Sequence, residues 1–232
     1  MVKHFQEHFD LSGDWRAHTC AVAFEPNPKH STRHREIETA YAKKSWRARW
    51  LSPAAVTNFD GEVDFYVDAT EVWKGGPKTD GFGMGSSLVP KGWRSKGGKI
   101  GQVTVNIFNT NKLKDVYRGV DVMKARKITA VDLSRYIKPI CTMKRLNVTT
   151  VMVKMDIELS EYIVLPKLLL DGRLCCIDVL LIEWHSWRLK GEPSLPEFER
   201  VFTSILENNP SCRTKLIELD DETYGTDGVP VE

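Results

Sequence analysis

Residues 149–185 read TTVMVKMDIELSEYIVLPKLLLDGRLCCIDVLLIEWH, and this stretch decides the fold. Two apolar runs, 151–155 and 177–182, are each short enough for a strand, and each ends on acids. The first runs into Asp156 and Glu158, the second into Glu183 and then His185. Between them Ile163, Val164, Leu165, Leu168 and Leu169 fall at helical spacing, and Asp171-Gly172 supplies a stop. Continuous apolar strands around one helix describe a βαβ unit, whose parallel strands are covered on both faces. Ligands of such sheets sit beyond the carboxyl ends of the strands. The spacing therefore predicts that Asp156, Glu158, Glu183 and His185 share one rim.

Upstream, residues 19–24 (TCAVAF) form a compact apolar strand that Glu25-Pro-Asn-Pro28 ends abruptly. An acid directly after a buried parallel strand can accept hydrogen bonds from both hydroxyls of a ribose. It can equally be a solvated strand-end group. Ser31 or Thr32 caps a helix running to about Lys44, with Ile37, Ala40 and Tyr41 inward. Residues 46–51 (WRARWL) alternate, as an edge strand does when its basic side chains face water. That reading accounts for KKSWRAR without a nucleic-acid partner. Residues 54–56 and 63–67 flank the turn Asn58-Phe-Asp-Gly61.

Residues 74–101 hold nine of the chain's sixteen glycines. Gly81-Phe-Gly-Met-Gly85 lacks the preceding strand and following helix of a phosphate loop, so the segment reads as a long loop. A lid and a disordered insertion both stay open. Further strands are expected at 103–107, 127–131 and 215–219. A short helix is expected at 132–137, and another at 196–206 with Phe198, Val201, Phe202 and Ile205 on one face. Residues 220–232 form a polar tail. The order of elements predicts a single α/β domain spanning 1–232.

The bulk numbers exclude several classes. A chain of 232 residues, 41% hydrophobic and 28% charged, describes a globular protein with a real core. A net charge of +2 gives no reason to expect a polyanion. No apolar run approaches the ~20 residues of a membrane helix, so no membrane partner is expected. The first residues, MVKHFQEHFDLSGDW, lack a signal-peptide core, which makes the cytoplasm the expected location. There the sequon Asn147-Val148-Thr149 carries no meaning. Five cysteines at irregular spacing give neither a disulfide framework nor a zinc pattern, and buried reduced thiols are expected. His4 with His8, and His30 with His34, stand four apart without a third ligand, and solvated histidines are expected.

Three segments together, AVAFEPNPKH, SPAAVTNFDGEVDFYV and VKMDIELSEYIVLPKLL with LLIEWH, resemble the FkbM-type methyltransferases over residues 20–224. The resemblance implies a Rossmann-like class I sandwich with a mostly parallel sheet, S-adenosylmethionine as cofactor, and a small-molecule or sugar hydroxyl as methyl acceptor. It implies that Glu25 holds the ribose hydroxyls with Asn27 beside it, and that Ala55 and Val56 lie on the adenine side. Asp156 would contribute to the cofactor site, and Asp156, Glu158 and His185 would stand at the methyl-transfer rim. No metal site is assigned, because two carboxylates do not define one.

Two features depart from the family pattern. Leu159 stands where DIEG places a glycine, and no glycine-rich strand-turn precedes Cys20. The expected first strand, which belongs at the sheet centre between those ending at Glu25 and Asp156, is therefore missing. The sequence accordingly predicts a truncated methyltransferase with weak cofactor binding, or a non-catalytic module that retains the fold. A nicotinamide-dependent oxidoreductase shares the acid after the strand but nothing equivalent to the paired strand-end acids.

Overall fold

The computed structural model describes residues 18–66, 88, 125–144, 150–188 and 193–219. The expected strand at 103–107, the glycine-rich loop, the polar tail, the sequon and the His4/His8 pair lie outside them. The described residues form a mixed α/β fold of eight strands and four α-helices. In chain order these are β1 (Cys20–Phe24), α1 (Ser31–Lys43), β2 (Arg47–Leu51), β3 (Ala54–Thr57), β4 (Gly61–Tyr66) and β5 (Ala125–Asp132). There follow α2 (Leu133–Lys144), β6 (Met152–Met155), α3 (Glu161–Leu170), β7 (Val179–Ile182), α4 (Ser194–Glu207) and β8 (Lys215–Glu218).

The predicted βαβ unit is present. β6 and β7 pair in parallel, with Met152 opposite Val179 and Met155 opposite Ile182, and β8 pairs in parallel on the far side of β7. All four residues of β7 are buried, as a central parallel strand covered on both faces requires. α3 covers this sheet with Val164, Leu165 and Leu168, while Leu170 on its other side is 85% exposed. The helix stops where the sequence places its stop. Gly172 has φ +63°, its N–H donates to the Leu169 carbonyl, and the Arg173 N–H donates to the Leu168 carbonyl. This Schellman closure requires the left-handed conformation that glycine adopts without cost. Ahead of β7, the Asp178 carboxylate accepts from the Val151 N–H at 2.8 Å and from Lys144 Nζ at 2.6 Å. It thereby ties the end of α2 to the start of β6.

α4 extends from Ser194 to Glu207, and its inward stripe is shifted from the expected one. Leu195, Phe202 and Leu206 are buried with Phe198 packed beside them, while Val201 and Ile205 are exposed. The stripe 195-198-202-206 satisfies the helical period better, leaving 201 and 205 on its margin.

The sheet departs from the expected sandwich. Among the described residues there are three small sheets, β1-β2, β3-β5-β4 and β6-β7-β8, with no continuous sheet joining them. β1 pairs in parallel with β2, but Val22 is 42% exposed and Cys20 is exposed, so this apolar strand is not the buried one its composition suggests. β3 and β4 flank the expected turn without pairing. β5 lies between them, parallel to β3 and antiparallel to β4. A short turn can only suggest a hairpin, and the 58 residues separating β4 from β5 hide the true partner. In β2, Arg47 and Arg49 face water as expected, and the N–H of Trp50 donates to Glu38 of α1. His34 is not solvated. It stacks on Trp50, and burial first, then the charge of His30, holds it below the usual imidazole range.

The cysteines also differ from expectation. Cys141 pairs with Cys176 and Cys175 with Cys212, leaving Cys20 as the free thiol. The adjacent cysteines sit on a 3-10 turn, Leu174–Cys176, from which one reaches α2 and the other the segment before β8. Separations of 35 and 37 residues leave no pattern in the sequence to reveal such pairs.

Candidate functional site

His185 organises the site. It follows β7 by three residues and is 1% exposed. Its Nε2 lies 3.6 Å from Asp156 Oδ1, 3.4 Å from Glu158 Oε2 and 3.6 Å from Glu183 Oε1. The four residues predicted to share a rim are thus brought together, beyond the carboxyl ends of β6 and β7. Lys154 Nζ stands 3.8 Å from Asp156 Oδ2 on the side away from the imidazole contact atom.

Glu161, in the first turn of α3, is the direct partner of His185. It is fully buried, and its Oε1 accepts from the backbone N–H of His185 at 3.1 Å and faces Nδ1 at 2.9 Å. A carboxylate accepts only, so Nδ1 carries a proton. When the ring is neutral, Nε2 is therefore the bare nitrogen, and it faces the rim carboxylates. Burial pulls the His185 pKa down, but the Glu161 hydrogen bond and the charges of Glu161, Glu158 and Asp156 outweigh it, leaving it raised. A signal for Glu161 does exist in the sequence. It shares the stripe of Val164, Leu165 and Leu168, and an acid on an apolar stripe must find a buried partner.

The backbone between the acids is strained. Glu158 has φ +55° and Leu159 φ +81°, both in the region L-residues disfavour by about 1–2 kcal/mol each. Leu159 occupies a conformation suited to glycine and is nevertheless buried. The turn aims Glu158 back toward His185 while the chain enters α3.

Glu25 approaches from the first sheet. Its N–H donates to the Leu51 carbonyl and its carbonyl accepts from the Ala54 N–H, each at 3.0 Å. The β1, β2 and β3 ends thus clamp it from both sides. Burial raises its carboxyl above the usual range, the Asn27 N–H and His30 oppose this, and the charge of Asp156 raises it further. Glu25 and Asp156 are accordingly within electrostatic reach although their strands belong to separate sheets. Asn27 is 2% exposed, and its Oδ1 caps the next turn by accepting from the Lys29 N–H. Its Nδ2 is buried with no hydrogen-bond partner among the described residues. Ala55 and Val56 are both buried. Ala55 packs in the cluster of Val63, Phe65 and Ile128, and Val56 in the main core.

Aromatic residues, of which the sequence reading named Phe198 alone, gather near the histidine. Tyr162, Trp184 and Phe198 pack with ring centroids 5.6–6.3 Å apart, and Trp187, 60% exposed, lies 6.2 Å from the His185 ring. The Tyr162 hydroxyl donates to Glu199 of α4. Burial, that bond and the charges of Glu161 and Glu199 raise its pKa beyond the ordinary phenol range.

Compared with protein-family models, curated proteins and solved structures, the chain matches none. Among the described residues no helix is long and apolar enough to cross a membrane.

Proposed function

We propose that the chain is an S-adenosylmethionine-dependent methyltransferase of FkbM type, acting on a hydroxyl of a small molecule or sugar. The observation that carries the reading is the convergence of strand-end acids. Glu25 after β1 lies within electrostatic reach of Asp156, which gathers with Glu158, Glu183 and His185 after β6 and β7. The donor set fits the nucleoside end of the cofactor. Glu25 offers acceptors for two hydroxyls, and the buried, unpartnered Nδ2 of Asn27 offers a donor beside it.

Once bound, the cofactor supplies an electrophilic methyl group. The chain's own part is positioning and electrostatics, since an in-line displacement gains most from a held geometry. The acceptor hydroxyl loses a proton, and a carboxylate of the Asp156–Glu158 rim or His185 is placed to take it. The second reading, a non-catalytic binding module, is favoured by Leu159 and by the described glycines. Gly61 and Gly172 serve a strand start and a helix end, and neither forms a cradle after a strand. Calorimetric titration with S-adenosylhomocysteine separates the two. Binding that Glu25→Ala abolishes supports the enzyme, whereas a folded chain that binds nothing favours the module.

The two disulfides bear on location. Disulfides persist in oxidising compartments. The cytoplasmic expectation therefore holds only if Cys141–Cys176 and Cys175–Cys212 are reduced in the cell, which alkylation of thiols in intact cells measures.

A further inference from the structure

We infer that Asp156, Glu158 and His185 form a binding site for a divalent cation, with Glu183 at its edge and Glu161 as the positioning residue. One ligand atom from each of the first three lies within 4.8 Å of the others. Glu161 fixes the proton on Nδ1, so in the neutral form of this buried ring Nε2 presents a lone pair. The oxygens around it belong to carboxylates, which also present lone pairs. A cation placed among these lone pairs would be held by the nitrogen and the oxygens together.

The distances distinguish a metal ion from a simple hydrogen-bonded cluster. A proton on Nε2 would want an oxygen at about 2.7–2.9 Å, and the nearest ones stand at 3.4–3.6 Å. These separations are instead those between ligands of one ion. Donor atoms ~2.1 Å from a cation at tetrahedral angles lie about 3.4 Å apart. Donors ~2.4 Å from a cation at right angles do the same. The imidazole-to-carboxylate separations thus match those within one coordination shell. Lys154 Nζ stands 3.8 Å from the second oxygen of Asp156 and offsets part of the acidic charge.

The hydrogen bond from Nδ1 to a buried carboxylate is how metal-ligating histidines are usually oriented, and it makes the ring a better donor. One imidazole with several carboxylates suits an oxygen-preferring ion of the manganese or magnesium type. An ion there would lower the pKa of a hydroxyl or water bound to it. His185 would then serve as a ligand, leaving proton acceptance to a carboxylate.

The test uses Mn2+ alone, with no nucleoside ligand, on the full chain. Electron paramagnetic resonance is expected to show one bound Mn2+ per chain, with nitrogen modulation from a single imidazole. Asp156→Asn and Glu158→Gln are expected to weaken binding at least tenfold. His185→Asn should remove the nitrogen signal, and Glu161→Gln should weaken binding by 10–100-fold while keeping that signal. Asp171→Asn, in a surface carboxylate, should change nothing. Circular dichroism checks that each variant is folded. Loss of nitrogen modulation from wild type, or binding indifferent to Asp156→Asn in a folded variant, would overturn the proposal. Because no cofactor is present, failure here leaves the methyltransferase reading untouched, and failure to bind S-adenosylhomocysteine leaves the cation site untouched.

Discussion

Replacing Glu161 tests whether a buried acid holds the site in place. Its Oε1 serves two buried donors, the His185 backbone N–H at 3.1 Å and Nδ1 at 2.9 Å, while Oε2 has no hydrogen-bond partner among the described residues. Glu161→Ala leaves both donors unpaired, at about 1–3 kcal/mol each, and removes one unsatisfied oxygen worth a similar amount. The net expectation is a loss of about 2 kcal/mol, a sizeable share of the 5–15 kcal/mol typical of a domain. Glu161→Gln retains an acceptor but exchanges charge-assisted bonds for neutral ones, so about 1–2 kcal/mol is expected. Urea unfolding with EDTA present measures both. The cycle with His185→Ala should show a coupling of about 0.5–3 kcal/mol, as for residues in one network. If Ala and Gln prove equal, or the two substitutions simply add, Glu161 is not the anchor of His185 and the tautomer argument fails with it.

The remaining expectations concern charge, strain, packing and thiols. Glu25 has a folded pKa raised by burial, so its stabilising contribution is complete below the ordinary value of 4.5 and is lost as pH rises through the folded value. Glu25→Gln should therefore melt higher than wild type at pH 7.5, with the two curves meeting below about pH 4; equal melting at pH 7.5 would count against it. Leu159→Gly trades about 1–2 kcal/mol of relieved strain against a buried leucine worth about 1.5–3 kcal/mol. It should therefore change stability by no more than about 2 kcal/mol. Leu168→Ala, at a core position of the same stretch, should cost about 2–5 kcal/mol, and denaturant midpoints compare the two. Thiol titration of the native chain should find one reactive cysteine, Cys20. Opening Cys175–Cys212, whose ends are 37 residues apart, should cost up to about 4 kcal/mol of unfolding free energy.

The sequence by itself determined the elements whose signals are local. The β6-α3-β7 unit follows from two apolar runs, a helical stripe and an Asp-Gly stop, because period, length and φ preference are properties of short segments. The gathering of Asp156, Glu158, Glu183 and His185 follows too, since parallel strands joined by a helix must end on the same side. Glu25 could be placed at a strand end, but not in reach of Asp156.

Only the tertiary structure decided the partners. That β5 enters between β3 and β4, that Cys176 meets α2 while Cys175 meets the segment before β8, and that Glu161 grips His185 all depend on residues far apart in sequence. Leu159 shows the same division in one residue: its side chain argued against a glycine-like turn, and its neighbours impose φ +81° regardless. Local chemistry fixes what a segment can become. Which groups meet is set by how the whole chain buries its apolar faces, and the chemistry of the rim follows from those meetings.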